Sequence, residues 1–228
     1  MTGAIVNFAD GVAVHVGDCL RVLPTLALDP ARTVVVTDPP WPEAPADLLA
    51  RWSVTDCAAV LESTFGECAR LARRLVVVLG CQTDPRCLRI PASMPFVRVC
   101  WLRLALPSYR GTVLNGSDVA YVFGSREAGK GNVLLPGEVT AHTPRAKEGA
   151  GADAHPTPRR EEHMRWLVSH FTRPGDTVLD PFAGSGTILL AARDAGRYSI
   201  GIERHEPYID AMRARFAQGT LLAVGAPQ

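Results

Sequence analysis

Two short segments concentrate the residue types that can do chemistry. One is Asp38-Pro39-Pro40-Trp41, directly after the apolar run Thr33–Thr37. Two consecutive prolines fix the backbone and push Asp38 out of α geometry. They also remove two amide donors, so the local carbonyls remain to accept. A rigid corner with a carboxylate, outward carbonyls and an aromatic face suits a flat molecule bearing an amino group. The other segment is Asp180-Pro181-Phe182-Ala183-Gly184-Ser185-Gly186-Thr187, between the apolar Val178-Leu179 and an apolar helical pattern. Its glycines let backbone approach a ligand closely, and the helix start turns free amides toward it.

The glycine segment is neither of the common phosphate binders. Leu189 stands where a dinucleotide fingerprint needs its third glycine, and no Lys follows Gly186 as a phosphate loop requires. Glu203 ends the next predicted strand, the place for a carboxylate that takes ribose hydroxyls. A glycine turn and an acidic strand end without a pyrophosphate grip suit an adenosine ligand that carries no phosphate. S-adenosylmethionine (SAM) is that ligand.

These segments must be held by an α/β scaffold. Short β-branched runs at Val12–Val16, Thr33–Thr37, Leu75–Leu79, Thr177–Leu179 and Tyr198–Ile202 read as strands, the central ones buried on both faces. Helical periodicity covers about 54–73, Glu161–Phe171, Thr187–Ala195 and Pro207–Phe216. Phe96–Leu106 and Asp118–Phe123 alternate and read as an antiparallel pair. The expected fold is a Rossmann-like α/β domain spanning 1–228, with helices on both faces of a sheet. Pro107–Ser117 and Ser125 to about Ala154 carry turn-formers and little periodicity. They read as loops, and the second as a mobile partner-binding loop.

Composition narrows the class. The 228 residues are 47% hydrophobic and 21% charged, which is globular rather than disordered. Twenty-four Lys and Arg against 23 Asp and Glu give a net charge of +1, which excludes a purely electrostatic nucleic-acid binder but not a locally basic cleft. Six cysteines form no Cys-x-x-Cys, and six histidines show no metal spacing, so no metal is expected. The cysteines read as reduced thiols of a cytoplasmic protein. Neither a signal peptide nor a run of 18 apolar residues is present, so no membrane partner is expected.

Taken together and in this order, Asp38-Pro39-Pro40-Trp41 and Asp180 to Thr187 resemble the amino-group DNA methyltransferases. Placing the tetrapeptide before the glycine turn is similar to the circularly permuted β class. Val16-Gly17-Asp18-Cys19-Leu20, His155-Pro156-Thr157-Pro158 and Ile200-Gly201-Ile202-Glu203 resemble further segments of that family. Trp41 replaces the family's usual Tyr, and Arg159-Arg160 stand where Gln-Lys is frequent.

The resemblance implies a mostly parallel seven-stranded sheet with an antiparallel strand and a small recognition insert at about 107–155. It implies methyl transfer from SAM, with S-adenosylhomocysteine as product, to a base flipped out of double-stranded DNA. Asp38, Pro39, Pro40 and Trp41 would be catalytic, the Asp38 carboxylate and Pro39 carbonyl accepting the two amine hydrogens while Trp41 stacks on the base. Asp18, Cys19, Asp38, His155, Thr157, every residue from Asp180 to Thr187, Glu203 and Arg204 would hold the cofactor. An Asp-first tetrapeptide leans toward adenine N6, with cytosine N4 as the alternative. An RNA or small-molecule amino methyltransferase, a non-catalytic DNA-binding subunit and a Rossmann oxidoreductase are the competing readings. Cytosine-C5 chemistry fits poorly, because its thiolate nucleophile usually follows a proline and none of the six cysteines does. Base readout is expected from Arg103, Tyr109, Arg110, Asn115, Arg126, Lys130, Arg145 and Lys147, and a homodimer could add basic surface.

Overall fold

In the computed structural model the described residues are 4–44, 46–51, 56–110, 113–125, 137–142 and 159–224. The strands are Ile5–Ala9 (β1), Val12–Val16 (β2), Thr33–Thr37 (β3), Arg74–Gly80 (β4), Phe96–Arg110 (β5), Val113–Gly124 (β6), Glu138–Ala141 (β7), Thr177–Asp180 (β8) and Tyr198–Glu203 (β9). The helices are Cys19–Val22 (α1), Ala46–Arg51 (α2), Cys57–Leu71 (α3), Glu161–Phe171 (α4), Thr187–Asp194 (α5) and Glu206–Val224 (α6). Among the described residues the strands form one sheet in the order β1-β2-β9-β8-β3-β4-β6-β5-β7.

Neighbours from β2 to β4 are parallel, β6 runs antiparallel to both β4 and β5, and β7 lies parallel to β5. The expected seven strands are therefore present, extended to nine by β1 and β7 at the two edges. Both edge strands are short and partly exposed, so neither carries the unbroken apolar run that marks a central strand.

The core alternates as a doubly covered sheet requires. Val34, Val36, Val76 and Val78 point to the face packed by Met164, Leu167 and Val168 of α4 and Ile188 of α5. Val35, Leu75 and Val77 point the other way, onto Leu61, Phe65, Cys68 and Leu71 of α3. A third cluster seats Ile209, Met212 and Phe216 of α6 on Val12 and Val14. The side chain of Asp56 caps α3 by accepting from the Ala59 amide at 3.0 Å.

One expectation is corrected. Pro107–Ser117 is not a loop throughout: β5 runs to Arg110 and β6 starts at Val113. The pairing register shifts between Arg103 and Ser108, so Pro107 sits at an irregularity where a missing amide does not interrupt the ladder. Within the second proposed loop, 138–141 is the strand β7, while 126–136 and 143–158 lie outside the described residues.

Phe65 is fully buried between α3 and the sheet. Phe65→Ala is expected to cost about 3–5 kcal/mol through lost burial and a cavity. Urea unfolding of the two proteins should show a lower midpoint with an unchanged slope.

Candidate active site

Adjacent strands β3 and β8 end side by side, and the chain leaves them on opposite faces of the sheet. From β3 it passes through α3 to β4; from β8 it passes through α5 to β9. Strand order reverses there, and such a switch point opens a crevice beyond the carboxyl ends of the strands. Asp38 follows β3 and Asp180 ends β8. Thr37 Oγ1 donates to Asp180 Oδ1 at 2.7 Å, and the Phe182 amide donates to the same oxygen at 3.1 Å.

The crevice holds a cleft of about 820 Å³, open mouth included. The diproline corner (Asp38 to Trp41) lines it together with Pro181, Phe182 and Gly184 of the glycine turn. Asp18, Cys19, Glu203 and Arg204 line it as well. Trp41 and Gly184 thus face a single shared hollow. A smaller recess adjoins it, lined by Asp38, Arg159, Asp180, Ala183, Ser185 and Thr187 among others.

Each carboxylate in this crevice is held differently. Glu203 Oε2 accepts from the Gly184 amide at 2.8 Å, while Oε1 accepts from the Arg204 and His205 amides at 2.8 and 2.7 Å. Burial pushes its carboxyl up while the amides pull it down, with the net shift upward. Three amides fix its orientation, and Oε2, which accepts only one of them, keeps capacity for a ribose hydroxyl. Asp18 caps α1 through the Leu20 amide at 2.9 Å and takes Arg204 Nη1 at 3.2 Å. Asp180 is almost fully buried, and burial pushes its carboxyl up to about 7 despite the Thr37 and Phe182 hydrogen bonds; Asp38 and Glu203 add repulsion.

Asp38 is gripped by a side chain outside the expected site. Arg159 donates from Nε to Oδ2 and from Nη2 to Oδ1, both at 2.7 Å. Its Nη1 reaches Asp118 Oδ2 on β6 at 2.8 Å. Burial opposes the charge on Arg159, but the two carboxylates outweigh it and shift the guanidinium further toward the protonated form.

The diproline corner is braced from behind. The Cys57 thiol donates to the Pro40 carbonyl at 3.4 Å, and the Ala44 amide donates to the Trp41 carbonyl at 3.0 Å. Among the described residues no donor reaches the Pro39 carbonyl. Burial pushes the Cys57 and Cys19 thiols up to about 11, which removes them as nucleophiles at neutral pH. No His, Cys, Asp or Glu cluster among the described residues could hold a metal.

Nearly every expected site residue that the structure describes reaches the crevice. Gly186 is not among the residues that line the cleft or the recess. Its φ of +80° starts α5, and a Cβ there would lie 2.7 Å from Met212 Cγ, so packing against α6 demands the glycine. Ser185 and Thr187 line the recess while their hydroxyls take Arg215 Nη1 at 3.1 and 2.9 Å, which ties the turn to α6. His155 and Thr157 lie outside the described residues, as do Arg126, Lys130, Arg145 and Lys147. Asn115, expected as a base reader, is buried and accepts from the Cys81 thiol at 3.3 Å; Arg103 is paired to Glu138 at 2.7 Å.

Val60, Ile202 and Tyr208 also line the cleft. They look like ordinary core residues in sequence, and only the fold turns one edge of each to the hollow. Arg159 and Asp118 carry no local motif either, since a guanidinium bridging carboxylates at the end of β3 and on β6 is a long-range pairing.

Solved structures share this architecture. The putative DNA modification methylase TTHA0409 from Thermus thermophilus, complexed with S-adenosyl-L-methionine, superposes with a TM-score of 0.62 over 90% of this chain and 93% of that one, at 21% identity. PvuII DNA methyltransferase, described as cytosine-N4-specific, gives a TM-score of 0.66 over 94% and 86%, at 17% identity. At such identities the likeness is one of fold. In sequence, the chain is 29% identical over 215 residues to the putative methylase YubD of Escherichia coli (strain K12), covering 88% of each. It is 39% identical over 74 residues to the type II methyltransferase M.HinfI of Haemophilus influenzae, where the match spans 32% of this chain but only 21% of that protein. The family model N6_N4_Mtase, described as DNA methylase, matches residues 101–214, half of the chain. The chain therefore belongs to this DNA methylase family.

Proposed function

We propose that the chain transfers a methyl group from SAM to the exocyclic N6 of adenine in double-stranded DNA, acting on a base turned out of the helix. The observation that carries this reading is that the diproline corner and the glycine turn line one cleft. The cleft suits the cofactor's parts. Glu203, oriented by three amides, would take the ribose hydroxyls. Phe182, Leu20, Val60 and Ile202 offer apolar surface to an adenine ring, and the carboxylates favour a cation. SAM would supply an electrophilic methyl on a sulfonium leaving group.

The chain's own contribution is positioning and electrostatics. An exocyclic amine conjugated to a base is a poor nucleophile because its lone pair is delocalised. The Asp38 carboxylate and the Pro39 carbonyl would accept its two hydrogens and favour a tetrahedral nitrogen with its lone pair freed for attack. The nitrogen–carbon bond forms as the carbon–sulfur bond breaks, and the surplus amine proton leaves afterwards. Trp41 would stack on the extruded base, offsetting the unstacking cost by about 1–3 kcal/mol. Cytosine N4 is the second reading, favoured by the fold likeness to a cytosine-N4-specific enzyme.

Incubation with SAM and mixed-sequence DNA, followed by nucleoside mass spectrometry, is expected to yield N6-methyladenine. N4-methylcytosine would replace the adenine assignment, and an unmodified digest would overturn the reading. Asp38→Ala should lower transfer by about 10²–10³-fold, the scale of losing one preorganised polar contact. Activity within a few-fold of the parent would dismiss Asp38 as the acceptor.

Cofactor affinity should also depend on pH. Asp180 is neutral below about 7 and ionised above it. A cationic ligand favours the ionised form, so SAM should bind more tightly as pH rises from about 6 to about 8 and release protons on binding near the carboxyl's own midpoint. Calorimetry in buffers of different ionisation enthalpy reads this directly; an unchanged affinity across that range in the parent would refute the coupling.

A further inference from the structure

We propose that Arg159 is a positioning residue that fixes the Asp38 carboxylate for the incoming amine, and that Asp118 acts through it by holding the guanidinium in place. The inference rests on Asp38 being the amine acceptor and asks what keeps that acceptor ready.

Both Asp38 oxygens are engaged by a planar fork at equal 2.7 Å distances, so the guanidinium sets the plane of the carboxylate. The third guanidinium nitrogen is tied to Asp118, so Arg159 itself has little freedom. The side chains of Arg159, Asp118 and Asp38 are 8%, 6% and 15% exposed.

A purely structural role explains this poorly. A buried ion pair is weak evidence for stability, because apolar residues of similar volume often serve as well. The cost here is visible, since Asp118 Oδ1 is buried with no hydrogen-bond partner among the described residues. Two acids share one guanidinium, and one of the acids stands at the corner where the amine must dock. Alignment of the amine depends on the acceptor's orientation, and a displacement near 1 Å can cost about 10²-fold in rate. A lysine would keep the charge but not the fork, because its ammonium is a point donor.

The test uses the full chain with R159K, R159Q, D118N and the R159Q/D118N pair. Thermal melting and equilibrium SAM binding are measured first, then single-turnover methyl transfer at saturating SAM and DNA. R159K is expected to stay folded, bind SAM within about threefold of the parent and transfer about 10–100-fold more slowly. R159Q should be slower still, D118N slower than the parent, and the pair no slower than R159Q alone, because Asp118 works through Arg159. If R159Q does not fold, R159K decides, since it retains the buried charge.

Wild-type turnover in R159K would overturn the proposal. So would a loss confined to SAM affinity, which would make Arg159 a ligand for the cofactor's own carboxylate. Faster transfer in R159K or R159Q would make the contact a latch, and additive losses in the pair would separate Asp118 from Arg159. Asp38→Ala keeps the two layers apart: if it remains active, the acceptor assignment fails; if it is inactive while R159K is unaffected, only the positioning role fails.

Discussion

Acidic side chains crowd the place where β3 and β8 end together, and the rest of the site answers to that crowding. Asp38, Asp180 and Glu203 converge there, and buried carboxylates in one crevice repel. Each is made tolerable in its own way. Backbone amides satisfy Glu203, a hydroxyl and one amide satisfy Asp180, and a guanidinium satisfies Asp38. Only the last brings a full positive charge. Asp180 therefore carries a raised affinity for a proton, while Asp38, the acid at the proposed reacting nitrogen, is the one paired to a permanent cation.

Rigidity follows from how these groups are mounted. β3 cannot continue past Thr37, because two prolines remove the amides a ladder needs. The corner they form is then pinned through the Pro40 and Trp41 carbonyls, leaving the Pro39 carbonyl as the acceptor nearest the carboxylate in sequence. The facing turn is pinned from α6, where Met212 fills the space at Gly186 and Arg215 holds the Ser185 carbonyl at 2.9 Å. Both segments hang from the adjacent, paired strands β3 and β8, so that pairing sets their separation.

Features with a local cause are legible in the sequence. Val-Val-Val bounded by threonines reads as a strand buried on both faces, and it is one. Asp38, Asp180 and Glu203 are legible as crevice residues because each follows or ends a strand, and a parallel sheet sends all such ends to one edge; Asp18 is legible only through the family resemblance. What escapes has a long-range cause. Gly186 is required by a helix that packs on it from the far end of the chain. Asn115 reads as a base reader within a stretch, 107–117, that reads as a loop, and β-pairing beyond an irregularity buries it instead. Arg159 stands out in sequence only as an unusual residue, since its partners lie 121 and 41 positions away in the chain.

The proposed chemistry separates into two selections made by different parts of the molecule. A carboxylate and a carbonyl side by side recognise an exocyclic amine by its two hydrogens, and adenine N6 and cytosine N4 both present them. A flat indole recognises a base by its π face, which every base has. The two amine hydrogens carry no measure of ring size, so recognising them chooses the reaction rather than the base. Arg159 belongs to the same half of the design, because a fixed carboxylate plane serves either amine equally. Choice of base then falls to groups that meet the ring edge away from its amine, and those lie outside Asp38 to Trp41. The fold likeness to an enzyme described as cytosine-N4-specific is in keeping with that division, since a shared scaffold leaves the choice of base open.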